Sequence, residues 1–486
     1  MRCLTLADEL KLAGEPCVFV SRTIPSGLAE RIRTSGHALV VLHPAQSLND
    51  GLMSHAGWLA ASWQDDAEAT THVACDCNVG WIVVDHYALD ALWEKRVEDG
   101  AGRVAVIDDL ADRDHACALL LDQNLHIEPH ARYALRVPES CQLLMGPRYA
   151  LLRPEFSDWD NRKRAFGLES VCYLVAFSGT DGARLTVLAL DVLAQACRGG
   201  DRVHVVVNKQ NEELSDIQHR CLAMGWLLHV NVRNIAALMI GSDIAIGAGG
   251  GMLWERAALG LPSIAISIAE NQREQVVQAT RRGLVLGGSV ETIDNEALHA
   301  MVVQLRDNPV LRRQMSGSCC AAVDGRGAKR VASRMVLRDI KLRIAEMADS
   351  ADIFSWRNHE RIRRVSRHSD LISVDDHERW FSTILANRAR HLLVASDGDG
   401  PLGIVRFDNE HTASEVSIYL VPLRLGIGLG ASLLLAAEGW LASNCPEIVE
   451  IKAEVHAGNL ASEELFRSCG YRFDRNIFVK RLETRA

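Results

Sequence analysis

Two stretches of the chain place glycines where a strand hands over to a helix. That local geometry presents backbone amides and the positive end of a helix dipole to an anion. In SDIAIGAGGGMLWERAALGLPSIAISIAENQ (242–272) an apolar strand ends in Gly247, Gly249, Gly250 and Gly251, and a helix is predicted from Met252. Glycines there let backbone amides approach a diphosphate. Glu255, in the first helical turn, offers a carboxylate either to ribose hydroxyls or to the helix dipole. Asn271 and Gln272 follow at the carboxyl end of the next strand. The Asn271 amide suits stabilisation of charge developing on a leaving diphosphate. In VPLRLGIGLGASLLLAAEGWL (421–441), Gly426, Gly428 and Gly430 form a second such turn. Asp85, His86 and Tyr87 end the strand GWIVV, and open α/β sheets bind ligands at the carboxyl ends of their strands. Glu415 enters the strand SEVSIYLVP, placed either to deprotonate an ammonium or to stand as an exposed strand-end carboxylate.

The elements that must hold these residues fall into three segments. Through residues 1–160, the runs EPCVFVSR, HALVVLH, GWIVVDHY and RVAVIDDL alternate with helical stretches such as ALDALWEKRVED, the rhythm of a parallel sheet. Residues 161–335 repeat it with SVCYLVAFSGT, RVHVVVN, LLHVNV, IAALMIGSDIAIGAG and LPSIAISI as strands. LLMGPRYALLRPEF (143–156) reads as the connection between the two. VASRMVLRDIKLRIAEMAD reads as one boundary helix, and a different texture occupies 351–486. There SWRNHERIRRVS opens with a helix, and ARHLLVASDGDGPLGIVRFDN is a hairpin turning at Asp397-Gly398-Asp399-Gly400.

Composition narrows the classes. Hydrophobic residues make up 48% of the 486 and charged residues 24%, which excludes wholesale disorder. A net charge of -9 without a Lys/Arg block argues against nucleic acid as a partner, while a phosphorylated ligand needs only a local site. No run of 18 apolar residues occurs, so no membrane span is expected. The N-terminus MRCLTLADEL does not read as a signal peptide. The 13 scattered cysteines, with no CxxC pair, read as reduced cytoplasmic thiols. No metal is expected.

The ordered set of Gly cluster, Glu255, Gly260-Leu261-Pro262 and Asn271-Gln272 resembles the donor-binding half of GT-B enzymes, two facing Rossmann-like domains that hold a UDP-sugar. With VDHYALDALWE (84–94), VIDDLADRDHACALLLDQN (106–124) and GPRYALLRPEF (146–156), residues 1–335 resemble the UDP-sugar hydrolases of pseudaminic acid biosynthesis. The resemblance implies UDP at residues 249–251 and Glu255, the sugar near Asp85, His86 and Tyr87, and loop-organising roles for Asp108 and Asp109. One departure stands out. In that family a strand and a G-x-G-H loop, whose His is the general base, precede a helix like MRCLTLA. Here the chain starts inside that helix, and His37, His43 and His55 do not replace the base. Two readings follow. Either a strand and the His loop lie upstream of Met1, or the hydrolase half is impaired.

From 351 the order of strand, Gly loop, apolar helix, strand EIVEIKAEV and HAGNLASEELFRSCGYRF resembles the GNAT N-acetyltransferases. The resemblance implies that Gly426, Gly428, Gly430 and Asn459 hold acetyl-CoA. Leu425 stands where that family carries Arg or Gln, with Arg424 one place early, and Phe466 stands where many members have an acidic Tyr. Trp356, Arg357, Asn358, Arg361, Ser366, His377 and Trp380 resemble positions of the acetyltransferases of the same pathway, which act on a UDP-4-amino sugar. The alternative for Trp356 and Trp380 is core packing.

The implied architecture is α/β, a GT-B-like pair of Rossmann-like domains followed by a GNAT α+β domain. The implied protein acetylates a UDP-activated amino sugar with acetyl-CoA and then removes UDP with water. Three alternatives remain: an acetyltransferase with a non-catalytic UDP-sugar-binding half, the same steps on a related nonulosonic acid precursor, or a GT-B glycosyltransferase.

Overall fold

A computed structural model describes residues 1–43, 56–157, 164–177, 184–232, 234–336, 340–366, 369–456, 459–474 and 477–481. The chain forms two units, Met1–Ala328 and Lys329–Ala486. Among the described residues no helix is long and apolar enough to cross a membrane.

The first unit contains two parallel-sheet lobes. In the first lobe β1 (Val18–Ser21) pairs with β2 (Ala38–Val41), and β3 (Trp81–Val84), β4 (Arg103–Ile107), β5 (Leu119–Asp122) and β6 (Gln142–Met145) form a separate four-stranded sheet. β5 is buried throughout and β4 everywhere but Arg103, as continuous apolar runs demand when both faces are covered. The start of the expected connection 143–156 is therefore strand β6, paired Leu119↔Gln142 through Asp122↔Met145. So short an apolar run does not reveal its partner.

The second lobe holds β7 (Cys172–Ala176), β8 (Arg202–Val207), β9 (Leu227–Val230), β10 (Ile244–Ala248), β11 (Ser263–Ser267) and β12 (Leu286–Ser289), in the order β12-β11-β10-β7-β8-β9. Read from β9, this is the 3-2-1-4-5-6 order of doubly wound nucleotide-binding sheets, and the order reverses between β7 and β10. The expected strand IAALMI is instead a helix, Ile235–Ile240, started by Asn234, whose side chain accepts from Ala237 N. That cap, with space for one short turn before β10, overrides the apolar run.

Among the described residues, the second unit is built on one seven-stranded sheet. It comprises β13 (Lys341–Ile344), β14 (Arg390–Asp397), β15 (Gly400–Glu410), β16 (Ala413–Leu420), β17 (Glu450–Glu454), β18 (Arg472–Asp474) and β19 (Ile477–Arg481), in the order β13-β14-β15-β16-β17-β19-β18. β13 corrects the boundary helix. The helix Gly327–Met335 ends, and Lys341–Ile344 pairs antiparallel with β14. Lys-Leu-Arg-Ile alternates with period two, and a waiting edge strand decides the outcome. The unit accordingly begins well before 351. The predicted hairpin is present, pairing Asp397↔Gly400 with Gly400 at φ +102°. Its core packs Leu393, Val405, Phe407 and Val416 against Leu433, Leu434 and Leu441 of the helix Leu429–Asn444.

Candidate functional site

In the second unit β16 and β17 run parallel, but their pairing stops at Glu415↔Lys452 although β16 continues to Leu420. A cavity of ≈ 480 Å³ lies at this opening. Strand alternation turns Glu415, Ser417 and Tyr419 of β16 to one face, beside Arg406 of β15, which pairs with Ser417. These four line the cavity with Arg357, Trp380, Glu454, His456 and Phe466. Burial pushes the Tyr419 hydroxyl well above its ordinary range, against the pull of Arg357 and Arg406, so it remains a neutral donor. Burial lowers Arg357, with Tyr419 acting the other way.

The predicted glycine turn closes one end of β16. Gly426 and Gly428 have φ of +81° and +86°, the left-handed region that favours glycine. Gly428 is the N-cap of Leu429–Asn444. Ser333 Oγ donates to Ile427 O at 2.7 Å, and a Cβ on Gly428 would lie 2.9 Å from Arg330 Cα. Arg424 points elsewhere, paired with Asp397 at 2.5 Å in the hairpin turn.

Several expected substrate or cofactor contacts are engaged with the protein. Asn459 caps the helix Leu460–Ser468, accepting from Ser462 N, and its Nδ2 donates to Val365 O at 3.1 Å. Asn358 clasps Ile372, donating to its O and accepting from its N, both at 2.9 Å. Trp356 packs on the cluster of Ile353, Phe381 and Ile384. His377 is buried against Phe354, Trp380 and Phe381, with Nε2 on the Ser350 O and Oγ. Phe466 meets Tyr471 edge-on at 5.0 Å. Tyr419, Arg406 and Ser417 were missed, although the alternation around Glu415 already placed Ser417 and Tyr419 on its face.

In the first unit the glycine turn after β10 sits at the topological switch point. A Cβ on Gly247 would fall 2.3 Å from Ala176 O, and one on Gly249 2.3 Å from a Val276 methyl. Close approach of neighbouring elements thus demands glycine at both positions. Gly250 caps the helix Gly251–Ala258, with Glu255 one turn in and Arg153 3.9 Å from it. Burial raises the Glu255 carboxyl against the pull of Arg153 and Arg256. Asn271 stands half-buried in the first turn of the helix Glu270–Arg281. One turn on, Glu274 reaches the first lobe, accepting from Ile127 N and meeting His126 at 2.8 Å and Arg132 at 3.3 Å.

The Asp85 set lies just past β3. Arg2 holds Asp85 at 2.6 Å, and its charge outweighs burial to lower the carboxyl. His86 Nδ1 accepts from Ala88 N, and burial lowers this imidazole. The Tyr87 hydroxyl donates to Asp109 at 2.7 Å. Asp108 takes Ala111 N and the Tyr133 hydroxyl, a loop-organising role. His37 bonds Asp8. His55 lies outside the described residues. Among the described residues no group of three or more His, Cys, Asp or Glu is placed to hold a metal.

A mixed sheet that opens between two parallel strands, with a glycine turn leading into an apolar helix, gives the second unit the fold of the GNAT acetyltransferases. Residues 339–472 match the family described as Acetyltransferase (GNAT) domain. Spermidine N-acetyltransferase from Vibrio cholerae, solved with CoA and spermine, is 21% identical, with 29% of this chain and 92% of that chain covered and a TM-score of 0.26. Among curated proteins the chain is 30% identical over 135 residues to an uncharacterised protein of Methanocaldococcus jannaschii, covering 26% of this chain and 28% of that protein. It is 25% identical over 214 residues to the spore coat polysaccharide biosynthesis protein SpsG of Bacillus subtilis, covering 43% of this chain and 62% of that protein. The chain thus spans less than two thirds of either curated relative.

Proposed function

We propose that the second unit transfers acetyl from acetyl-CoA to the amine of a nucleotide-activated amino sugar. The observation that carries this reading is the opening between β16 and β17, with Glu415 on its wall and the glycine turn following β16 in the chain. In this reading acetyl-CoA lies in the opening and the amides of the turn meet its pyrophosphate. Glu415 takes the proton of the acceptor ammonium, directly or through water. The freed amine attacks the thioester carbonyl, the C–S bond breaks, and the proton that the attacking nitrogen gives up passes through water to the departing thiolate. Two guanidiniums line the same cavity, Arg357 and Arg406, the latter paired with Asp408 at 3.1 Å, and they favour an acceptor that carries negative charge as well as an amine. A UDP-sugar does so.

The first unit supplies the matching site, with a glycine turn at the switch point for the diphosphate and Glu255 for the ribose. The printed name of SpsG, a polysaccharide biosynthesis protein, supports sugar chemistry there. The finer reading is that the chain acetylates UDP-4-amino-4,6-dideoxy-N-acetyl-β-L-altrosamine and then releases UDP from UDP-2,4-diacetamido-2,4,6-trideoxy-β-L-altropyranose, two consecutive steps of pseudaminic acid biosynthesis in the cytoplasm. A second reading has the first unit bind UDP-sugar without hydrolysing it. It is favoured by the partners already held by Asp85, His86 and Tyr87. Incubating the chain with acetyl-CoA and the 4-amino sugar nucleotide separates the cases. Acetylated product with UDP release supports both steps, and acetylated product alone supports the second reading. No acetyl transfer to any nucleotide amino sugar would sink the proposal.

A further inference from the structure

The carbonyls of the glycine turn after β10 are each tied back into the protein. Ala248 O accepts from Arg256 Nη2 at 2.8 Å. Gly249 O accepts from Gln275 Nε2, and Gly250 O from Leu253 N at 2.8 Å. The amides of Gly250, Gly251 and Met252 head the helix Gly251–Ala258, where no intrahelical acceptor precedes them. The turn thus keeps its negative ends inside and leads with its positive ones.

Two of those ties are made by unusual groups. Arg256 and Gln275 are each 1% exposed. Each also leaves polar atoms unbonded, Nε and Nη1 in Arg256 and Oε1 in Gln275. Burying a guanidinium and a primary amide only partly satisfied costs stability. A turn needed only for chain reversal would be served by water or by an apolar neighbour. The two side chains come from different helices, Gly251–Ala258 and Glu270–Arg281, and converge on consecutive carbonyls.

We infer that Arg256 and Gln275 are positioning residues that hold the carbonyls of Ala248 and Gly249 inward, so that the amides of the turn are preset for the diphosphate of a uridine nucleotide. This deepens the proposed role of the first unit and rests on it. Neither side chain touches the ligand. Both act on the backbone that does, so their removal weakens the diphosphate contacts and spares those to the nucleoside.

The test is calorimetry of the full chain with UDP and with uridine, comparing Gln275→Leu, Gln275→Met, Arg256→Met and Arg256→Lys, with thermal unfolding of each. Misdirecting one charge-assisted amide contact should weaken UDP by about tenfold or more in Gln275→Leu and Arg256→Met. Uridine affinity should stay within about twofold, and Arg256→Lys, which still donates, should regain part of the loss. Gln275→Met and Arg256→Lys carry the test if the other variants fail to fold. Variants that bind UDP as the parent does, or that lose UDP and uridine in parallel, would overturn the inference while leaving the diphosphate reading intact. A parent chain that binds no UDP would instead overturn that reading, and the inference with it.

Discussion

Replacing Gly428 by alanine tests the acetyl-CoA turn most directly, because Gly430, two residues on and already helical, serves as control. At Gly428 φ is +86°, where an L-residue pays a conformational penalty of about 1–2 kcal/mol that glycine does not. The new Cβ would also lie 2.9 Å from Arg330 Cα and 3.1 Å from its carbonyl oxygen, both backbone atoms that cannot swing aside. With the overpacking added, the second unit should lose roughly 2–3 kcal/mol. The turn would relax by moving its own backbone, which is the part that meets the pyrophosphate. The Michaelis constant for acetyl-CoA should therefore rise by about tenfold or more, with turnover at saturating acetyl-CoA much less affected. Gly430 lies inside the helix Leu429–Asn444. A Cβ there would make ordinary contacts of 3.4 and 3.5 Å with Leu465. Gly430→Ala should be neutral or stabilise by up to about 1 kcal/mol, since alanine is the better helix former. The assay is thiol release against acetyl-CoA concentration, with urea unfolding of both variants. An unchanged Michaelis constant in Gly428→Ala, or equal damage from both alanines, would refute the reasoning.

Glu415→Gln should lower turnover by about a hundredfold to ten-thousandfold while leaving the acetyl-CoA Michaelis constant near its parent value, as steady-state kinetics with a nucleotide amino sugar would show. A variant with parental turnover would return Glu415 to the status of an exposed strand-end carboxylate. Asn358→Ala removes both bonds to Ile372, so it should cost the second unit about 1–3 kcal/mol in urea unfolding and leave the acceptor Michaelis constant unchanged. A large rise in that constant without loss of stability would show that Asn358 meets substrate. His115 is held between Glu94 at 2.7 Å and Asp108 at 3.9 Å, both fully buried. Burial lowers its pKa, but the two carboxylates outweigh this and raise it from 6.5 to about 9. With the folded value raised, the stabilisation is fully present below about pH 6.5 and lost as pH climbs towards 9, a change of about 3 kcal/mol. Denaturant midpoints of parent and His115→Gln should converge over that window, and parallel profiles would contradict the assignment.

Both glycine turns, the parallel rhythm of residues 1–335 and the change of texture in the last third were legible because each depends on local chemistry. Only glycine fits Gly428 at positive φ, or Gly247 against Ala176, and only continuous apolar runs such as RVAVI and CYLVA fill a strand covered on both faces. What depends on a distant partner was not legible. Lys341–Ile344 became a strand because β14 offered it an edge, and Gln142–Met145 because β5 did. The same limit applied to side chains. Asn358, Asn459 and Asp85 are polar residues in suggestive places, yet their atoms are held by Ile372, Val365 and Arg2, from 14, 94 and 83 residues away in the chain. Tyr419 and Arg406 join Glu415 only once β15 and β16 are in register. A sequence carries the conformational preference of each residue directly. Which hydrogen bonds are already made, and which groups remain for a ligand, is decided when the chain closes on itself.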